Sequence, residues 1–205
     1  MESESVHMKI LIIGASGGIG SVIAKRFPDA ICPPRTELDL LYPDGNPYFD
    51  YDFDVLIYCA GINQIGKYDV VTIQDHFQIN ALSFYALAYN PNLHHVIAIS
   101  SLYARRVKKG RLCYSVSKAA LEAIIRGLAV ELAPTTLING IAPGFVDTKL
   151  TRKNNTQEQI NTIIDQTPLH KLIPADEIAD LVEFLVYQNK SITGQILTID
   201  GGYSL

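Results

Sequence analysis

The chain has 205 residues, 48% of them hydrophobic and 19% charged, with a formal net charge of -4 and three cysteines. That length and balance suit one packed domain with a sizeable core and exclude an intrinsically disordered chain. The acidic balance excludes a broad nucleic-acid surface, which needs clustered Lys and Arg to neutralise phosphates.

Residues 1–7 are polar, precede any periodicity and read as a disordered tail. They lack the basic-then-apolar pattern of a secretory signal, and no apolar run reaches the roughly 18 residues needed to span a bilayer, so the expected location is the cytoplasm, off the membrane. Cys32, Cys59 and Cys113 are odd in number and lack metal-ligand spacing; reduced thiols and no metal site are expected. The domain itself is expected over 8–205. Residues 9–13 form a short apolar run of the buried-strand kind that leads into Gly14, Ala15, Ser16, Gly17, Gly18, Ile19 and Gly20, and the helical pattern SVIAKRF follows. Between a strand and a helix, such glycines let the backbone approach a pyrophosphate while the helix start offers free amides. The spacing is G-x-x-x-G-x-G, and a plain tight turn is the bland alternative. A second strand is expected over 30–32, ended by Pro33 and Pro34, which donate no ladder bonds.

Residues 54–61 read as a continuous buried strand, and residues 70–89 as a helix with Asn80 inside it. His94 and His95 fall in the loop after that helix and are expected to be solvated. The run VIAIS is a further strand, ending at Ser101 with a hydroxyl at the sheet edge. The cluster Arg105, Arg106, Lys108, Lys109 and Arg111 reads as a solvated loop. Tyr114 and Lys118 then stand four apart at the start of a helical pattern, so both side chains lie on one face. An ammonium close to a phenol favours the phenolate and lowers the tyrosine pKa towards neutrality, which makes Tyr114 a candidate acid/base and Ser101 a second donor to the same oxygen. Cys113, next to Tyr114, reads as packing. Pro134 ends the helix, residues 136–142 supply another strand ending at Pro143 and Gly144, and residues 149–173 carry a stripe at Ile160, Ile163 and Ile164 that makes either a lid or a plain surface helix. An amphipathic helix over 176–188 and a last strand ending at Gly201 and Gly202 close the chain.

Together the turn GASGGIG, Asn80 in FQINALSFYAL, Ser101 in IAISSLYA, YSVSK, NGIAPGFVDT and ITGQILTIDGGYS resemble the short-chain dehydrogenase/reductase family over nearly the whole chain from Lys9 onward. The resemblance implies a single Rossmann-like, doubly wound parallel α/β sheet and an oxidoreductase that reversibly reduces a ketone or aldehyde with NAD(P)H. It implies catalytic roles for Ser101, Tyr114, Lys118 and Asn80. The cofactor would lie against Gly14, Ser16, Gly17, Gly18, Ile19 and Gly20, then Asp39, Ala60 and Gly61, with Tyr114, Lys118, Pro143, Gly144, Val146 and Thr148 on the nicotinamide side. Arg35, after the second strand, suits the 2′-phosphate of NADP, the first choice of cofactor, whereas Glu37 is the rival that favours NAD. Asp39 matches the adenine-contacting aspartate, although a turn carboxylate is the other reading. The partner implied is a small carbonyl or alcohol substrate, and relatives form homodimers or homotetramers. The chain departs from the family in two places: the segment after the second strand is trimmed, and Tyr58 and Cys59 replace two asparagines, which predicts looser local support rather than lost chemistry. A dinucleotide-binding regulatory protein without turnover is the alternative, and an epimerase or dehydratase is disfavoured because those relatives have a longer C-terminal region.

Overall fold

The computed structural model describes residues 8–42, 45–49 and 52–205; the tail expected over residues 1–7 lies outside them. Five strands, β1 (Ile10–Ile13), β2 (Val55–Tyr58), β3 (His95–Ile99), β4 (Leu137–Pro143) and β5 (Ile196–Ile199), form one parallel sheet in chain order. Their runs are apolar throughout because helices cover both faces, as parallel sheets require. Alternation then sorts the side chains. Ile10, Ile12, Val55, Ile57 and Ile97 point to one face, against Ile23 of α1 (Gly20–Arg26) and Ile178 and Val182 of α7 (Ala175–Tyr187). Leu11, Ile13, Leu56 and Tyr58 point to the other, against Leu121 and Ile125 of α4 (Leu112–Glu131) and Phe84 of α3 (Ser83–Ala88). Two smaller helices, α5 (Lys149–Asn154) and α6 (Gln157–Gln166), follow β4. Among the described residues no helix is long and apolar enough to cross a membrane.

The second strand expected over 30–32 is reduced to one bridge. Ile31 exchanges backbone hydrogen bonds with Ile10 and Ile12 at 2.8 and 2.9 Å, on the side of β1 away from β2. The prolines that follow stop the ladder there. The chain therefore leaves β1 towards one side and returns to β2 on the other, so the direction of winding reverses between β1 and β2, where open α/β sheets place their ligands.

The helix expected over 70–89 is interrupted. α2 (Val70–Phe77) gives way to a π turn over Gln78–Leu82 before α3 resumes. Such turns insert an extra residue and shift the backbone's hydrogen-bond pattern. Tyr58, buried at the end of β2, donates its hydroxyl to the Ile79 carbonyl in that turn at 2.5 Å, and its ring meets Phe84 edge-on at 5.5 Å. One of the two residues expected to loosen the support thus tethers β2 to the π turn. Tyr58→Phe keeps the ring packing but leaves a buried carbonyl without its donor, and should cost about 1–3 kcal/mol, visible as a lower urea midpoint.

His95 is not in a solvated loop. It opens β3, is half-buried, and burial pushes its imidazole below the usual histidine range; only His94 stays exposed, 3.7 Å from Asp54.

Candidate active site

At the carboxyl ends of β1 to β4 a cleft opens in two lobes of about 250 and about 240 Å³, joined across Gly17, Ala60 and Gly61. Every residue of the expected site borders it except Asn80, which is buried behind Gly61.

The first lobe runs from the glycine turn to Arg35 and Asp39. Gly14 sits at φ +83, and a Cβ there would stand 2.6 Å from the Ala60 amide nitrogen. A Cβ on Gly20 would stand 2.2 Å from the Gly14 carbonyl oxygen, so the turn closes on itself with no room for a side chain at either glycine. Arg35 is largely exposed at the rim, its Nη2 3.5 Å from Asp39 Oδ2. Asp39 serves both readings: Oδ1 accepts from the Leu41 amide at 3.0 Å as a turn carboxylate, while the side chain borders the lobe. Glu37 does not border the lobe; its carboxylate accepts from the Tyr48 hydroxyl at 3.1 Å.

The second lobe holds Ser101, Tyr114 and Lys118 together with the turn after β4. Ser101 follows β3 and its Oγ accepts from the Tyr103 amide at 3.2 Å, which leaves its proton free to donate. α4 presents Tyr114 and Lys118 one turn apart, as their spacing predicts. Tyr114 is half-buried and hydrogen-bonds Ser101; burial raises its pKa, while that bond and the Arg111 charge pull it back down. The expected lowering by Lys118 is absent, because the Lys118 ammonium lies 6.0 Å from the ring centroid and donates to the Ile99 carbonyl at 2.7 Å. Lys118 is itself buried, and its pKa falls to about 8, mainly through desolvation, with Cys59 and Glu122 opposing.

Asn80 sits in the π turn, as the resemblance requires of a loosened helix. Its amide is fully engaged: Oδ1 accepts from the Ile62 amide at 2.8 Å, and Nδ2 donates to the Ile62 carbonyl at 3.0 Å and to Ser117 Oγ at 2.9 Å. It thereby fixes the strand exit at Gly61, where a Cβ would stand 3.2 Å from Asn80 Oδ1 and 3.4 Å from Lys118 Nζ. Thr148 caps α5, its Oγ1 accepting from the Thr151 amide at 3.3 Å, and its Cβ stands where a Cβ on Gly18 would come within 2.8 Å. Glycine turn and β4 turn face each other across the lobe.

Sequence reasoning missed three features. Tyr103 and Phe145 make an aromatic wall, their ring centroids 6.1 Å apart and Tyr103 6.4 Å from Tyr114. Glu122, buried on α4, accepts from Ser100 Oγ at 3.0 Å and Arg105 Nε at 3.1 Å, anchoring the end of β3; a glutamate eight residues after the tyrosine on a helix carrying leucine and isoleucine was the only hint. The basic cluster is not one solvated loop. Arg105 pairs with Glu122, Arg106 lies over the Tyr203 ring, Lys108 and Lys109 are exposed, and Arg111 is buried at the cap of α4, where it borders the cleft.

Residues 50–204 match a family model described as enoyl-(acyl carrier protein) reductase. The uncharacterized oxidoreductase YmfI of Bacillus subtilis is 33% identical over 73% of this chain and 66% of its own length. The 3-oxoacyl-(acyl-carrier-protein) reductase FabG of Pseudomonas aeruginosa is 35% identical over 52% of this chain and 44% of its own length, so the chain spans about two thirds or less of these two relatives. The aldohexose dehydrogenase of Thermoplasma acidophilum, in ligand-free form, superposes with a TM-score of 0.83 at 26% identity, covering 96% of this chain and 94% of that one.

Proposed function

Because the chain belongs to the short-chain dehydrogenase/reductase family, we propose that it reduces a ketone or aldehyde reversibly with a nicotinamide dinucleotide, using Tyr114 as the proton donor. The observation that carries this reading is the meeting of Tyr114, Ser101 and Lys118 in one lobe of a cleft whose other lobe begins at a glycine-rich turn. The cleft fits such a cofactor. Gly14, Gly18, Gly20 and Gly61 hold bare backbone where any Cβ would meet neighbouring atoms within 3.2 Å, and Arg35 supplies a cation at the rim of the first lobe. When bound, a reduced nicotinamide supplies a hydride to the carbonyl carbon.

The chain's own residues do the rest. Ser101 donates a hydrogen bond to the carbonyl oxygen and orients it. Tyr114, whose phenol burial holds above its ordinary range, gives that oxygen its proton, so carbonyl, hydride and proton become an alcohol. The Lys118 ammonium, which donates to the Ile99 carbonyl beside the lobe, would hold the cofactor's ribose. Asn80 positions Gly61 and Lys118 rather than touching the reacting atoms. Segment 149–173 covers the substrate, with Leu150, Thr151, Asn154 and Asn155 already bordering the lobe.

Arg35 at the rim and the engagement of Glu37 by Tyr48 favour NADP over NAD. Titration followed by nicotinamide fluorescence should show NADPH binding about tenfold or more tighter than NADH, as one charge-assisted contact allows, and Arg35→Ala should abolish the difference. A preference for NADH in the unmodified protein would overturn the assignment, and binding of neither would remove the oxidoreductase reading.

A further inference from the structure

Arg111 is a buried cation without a counter-charge among the described residues. It is 9% exposed, borders the second lobe, and its Nη1 is fully covered with no hydrogen-bond partner. Among the described residues no carboxylate lies within ion-pair distance of it, although Arg105, six residues earlier, has Glu122. Burying an unpaired guanidinium costs several kcal/mol on the general scale for buried ions, so an arginine held this way marks a place where a negative charge belongs. Its guanidinium carbon lies 5.7 Å from the centroid of the Tyr103 ring, which supports the cation from one side and forms the wall of the lobe. The charge also acts on the tyrosines around it, pulling both Tyr103 and Tyr114 down against burial.

We propose that Arg111 is the receptor for a carboxylate carried by the carbonyl substrate, so that this enzyme reduces oxo acids whose aromatic or apolar body lies against Tyr103 and Phe145. The proposal rests on the oxidoreductase reading and names its substrate class. A carboxylate fits better than a single acceptor because the planar guanidinium offers parallel N–H donors. Arg111 caps α4 three residues before Tyr114 and stands over the Tyr103 ring in the lobe that holds Tyr114.

The test uses the NADPH-bound protein and the three positional isomers of carboxybenzaldehyde, each beside its methyl ester. At least one free acid should be reduced with kcat/KM about 10- to 100-fold above its ester, as expected for a desolvated charged hydrogen bond. Arg111→Met, which fills similar volume and removes an unpaired buried charge, should fold as stably as the parent and lose that preference, read as the acid-to-ester ratio of kcat/KM within each variant. Arg111→Lys should restore part of it. A second measurement needs no turnover: calorimetric binding of benzoate to the NADPH-bound protein should be detectable, and should vanish in Arg111→Met. Equal rates for acid and ester with no benzoate binding would overturn the proposal, as would inorganic phosphate binding in place of benzoate. If benzoate binds through Arg111 but no aldehyde is reduced, the anion site stands and the reductase reading fails.

Discussion

Tyr114→Phe is expected to lower kcat/KM for carbonyl reduction by about 10²–10⁴-fold, the usual contribution of a positioned general acid, while NADPH affinity changes by less than about threefold. The substitution removes one oxygen from a ring that stays in place, held edge-on by Tyr103 at 6.4 Å and faced by the Lys118 ammonium. What it deletes is the hydroxyl that meets Ser101. The pH dependence of the parent follows from two groups. Burial keeps the phenol protonated above its ordinary value, so the acid itself survives into the alkaline range. Lys118 does not: with a pKa of about 8 it loses its proton first, and with it the charge that would hold the cofactor's ribose. Reduction should therefore decline as pH rises through about 8, before the tyrosine titrates. A Tyr114→Phe protein with full activity would assign the proton to another donor. NADPH binding by the parent with no turnover of any carbonyl would favour the regulatory, non-catalytic reading instead.

Much of this site was legible in the sequence because each part depends on spacing within one element. Tyr114 and Lys118 share a helix, the glycine turn follows its strand directly, and the strands are recognisable as apolar runs. What was not legible depends on contacts between distant segments. Arg111 looked like its basic neighbours, and only the fold covers it, beneath the loop after β2 and against Tyr103; Gly66, in that loop, bonds the Gly110 carbonyl at 3.0 Å. The effect of replacing two asparagines by Tyr58 and Cys59 could not be read from β2 alone, since the compensating acceptor is Ile79, 21 residues away in a turn whose π geometry no period reveals. The lowered tyrosine pKa failed for a related reason. Spacing brought Lys118 to the same helix face, but it donates its hydrogen bond to the Ile99 carbonyl, on a different element. The shared logic is that helical spacing fixes neighbours along a helix, while burial and long-range acceptors decide charge.

Gly20→Ala should damage both fold and cofactor binding, whereas Gly127→Ala should stabilise the fold. Both glycines lie on helices, where alanine is the better residue by about 0.5–1 kcal/mol. At Gly127, on the exposed side of α4, nothing stands within 4 Å of the added methyl, so the full propensity gain is available. At Gly20, the first residue of α1, the methyl would lie 2.2 Å from the Gly14 carbonyl oxygen and 2.9 Å from its carbon. Neither atom can yield: Gly14 is already at φ +83, and a Cβ on it would meet Ala60, just past the end of β2. The turn must open, which breaks the Gly17 to Gly14 hydrogen bond of 3.1 Å and moves α1 off Ile10 and Ile12. Overpacking of that kind costs about 3 kcal/mol, which for a domain of this size lowers Tm by about 6–12 °C. Residual folded protein should bind NADPH at least about tenfold more weakly, because a shift of about 1.4 kcal/mol in fit already has that effect. Urea unfolding of the two variants beside the parent separates propensity from collision: a Gly20→Ala midpoint equal to the parent's would show that the turn tolerates a side chain, and would remove the close backbone approach on which the cofactor cradle depends.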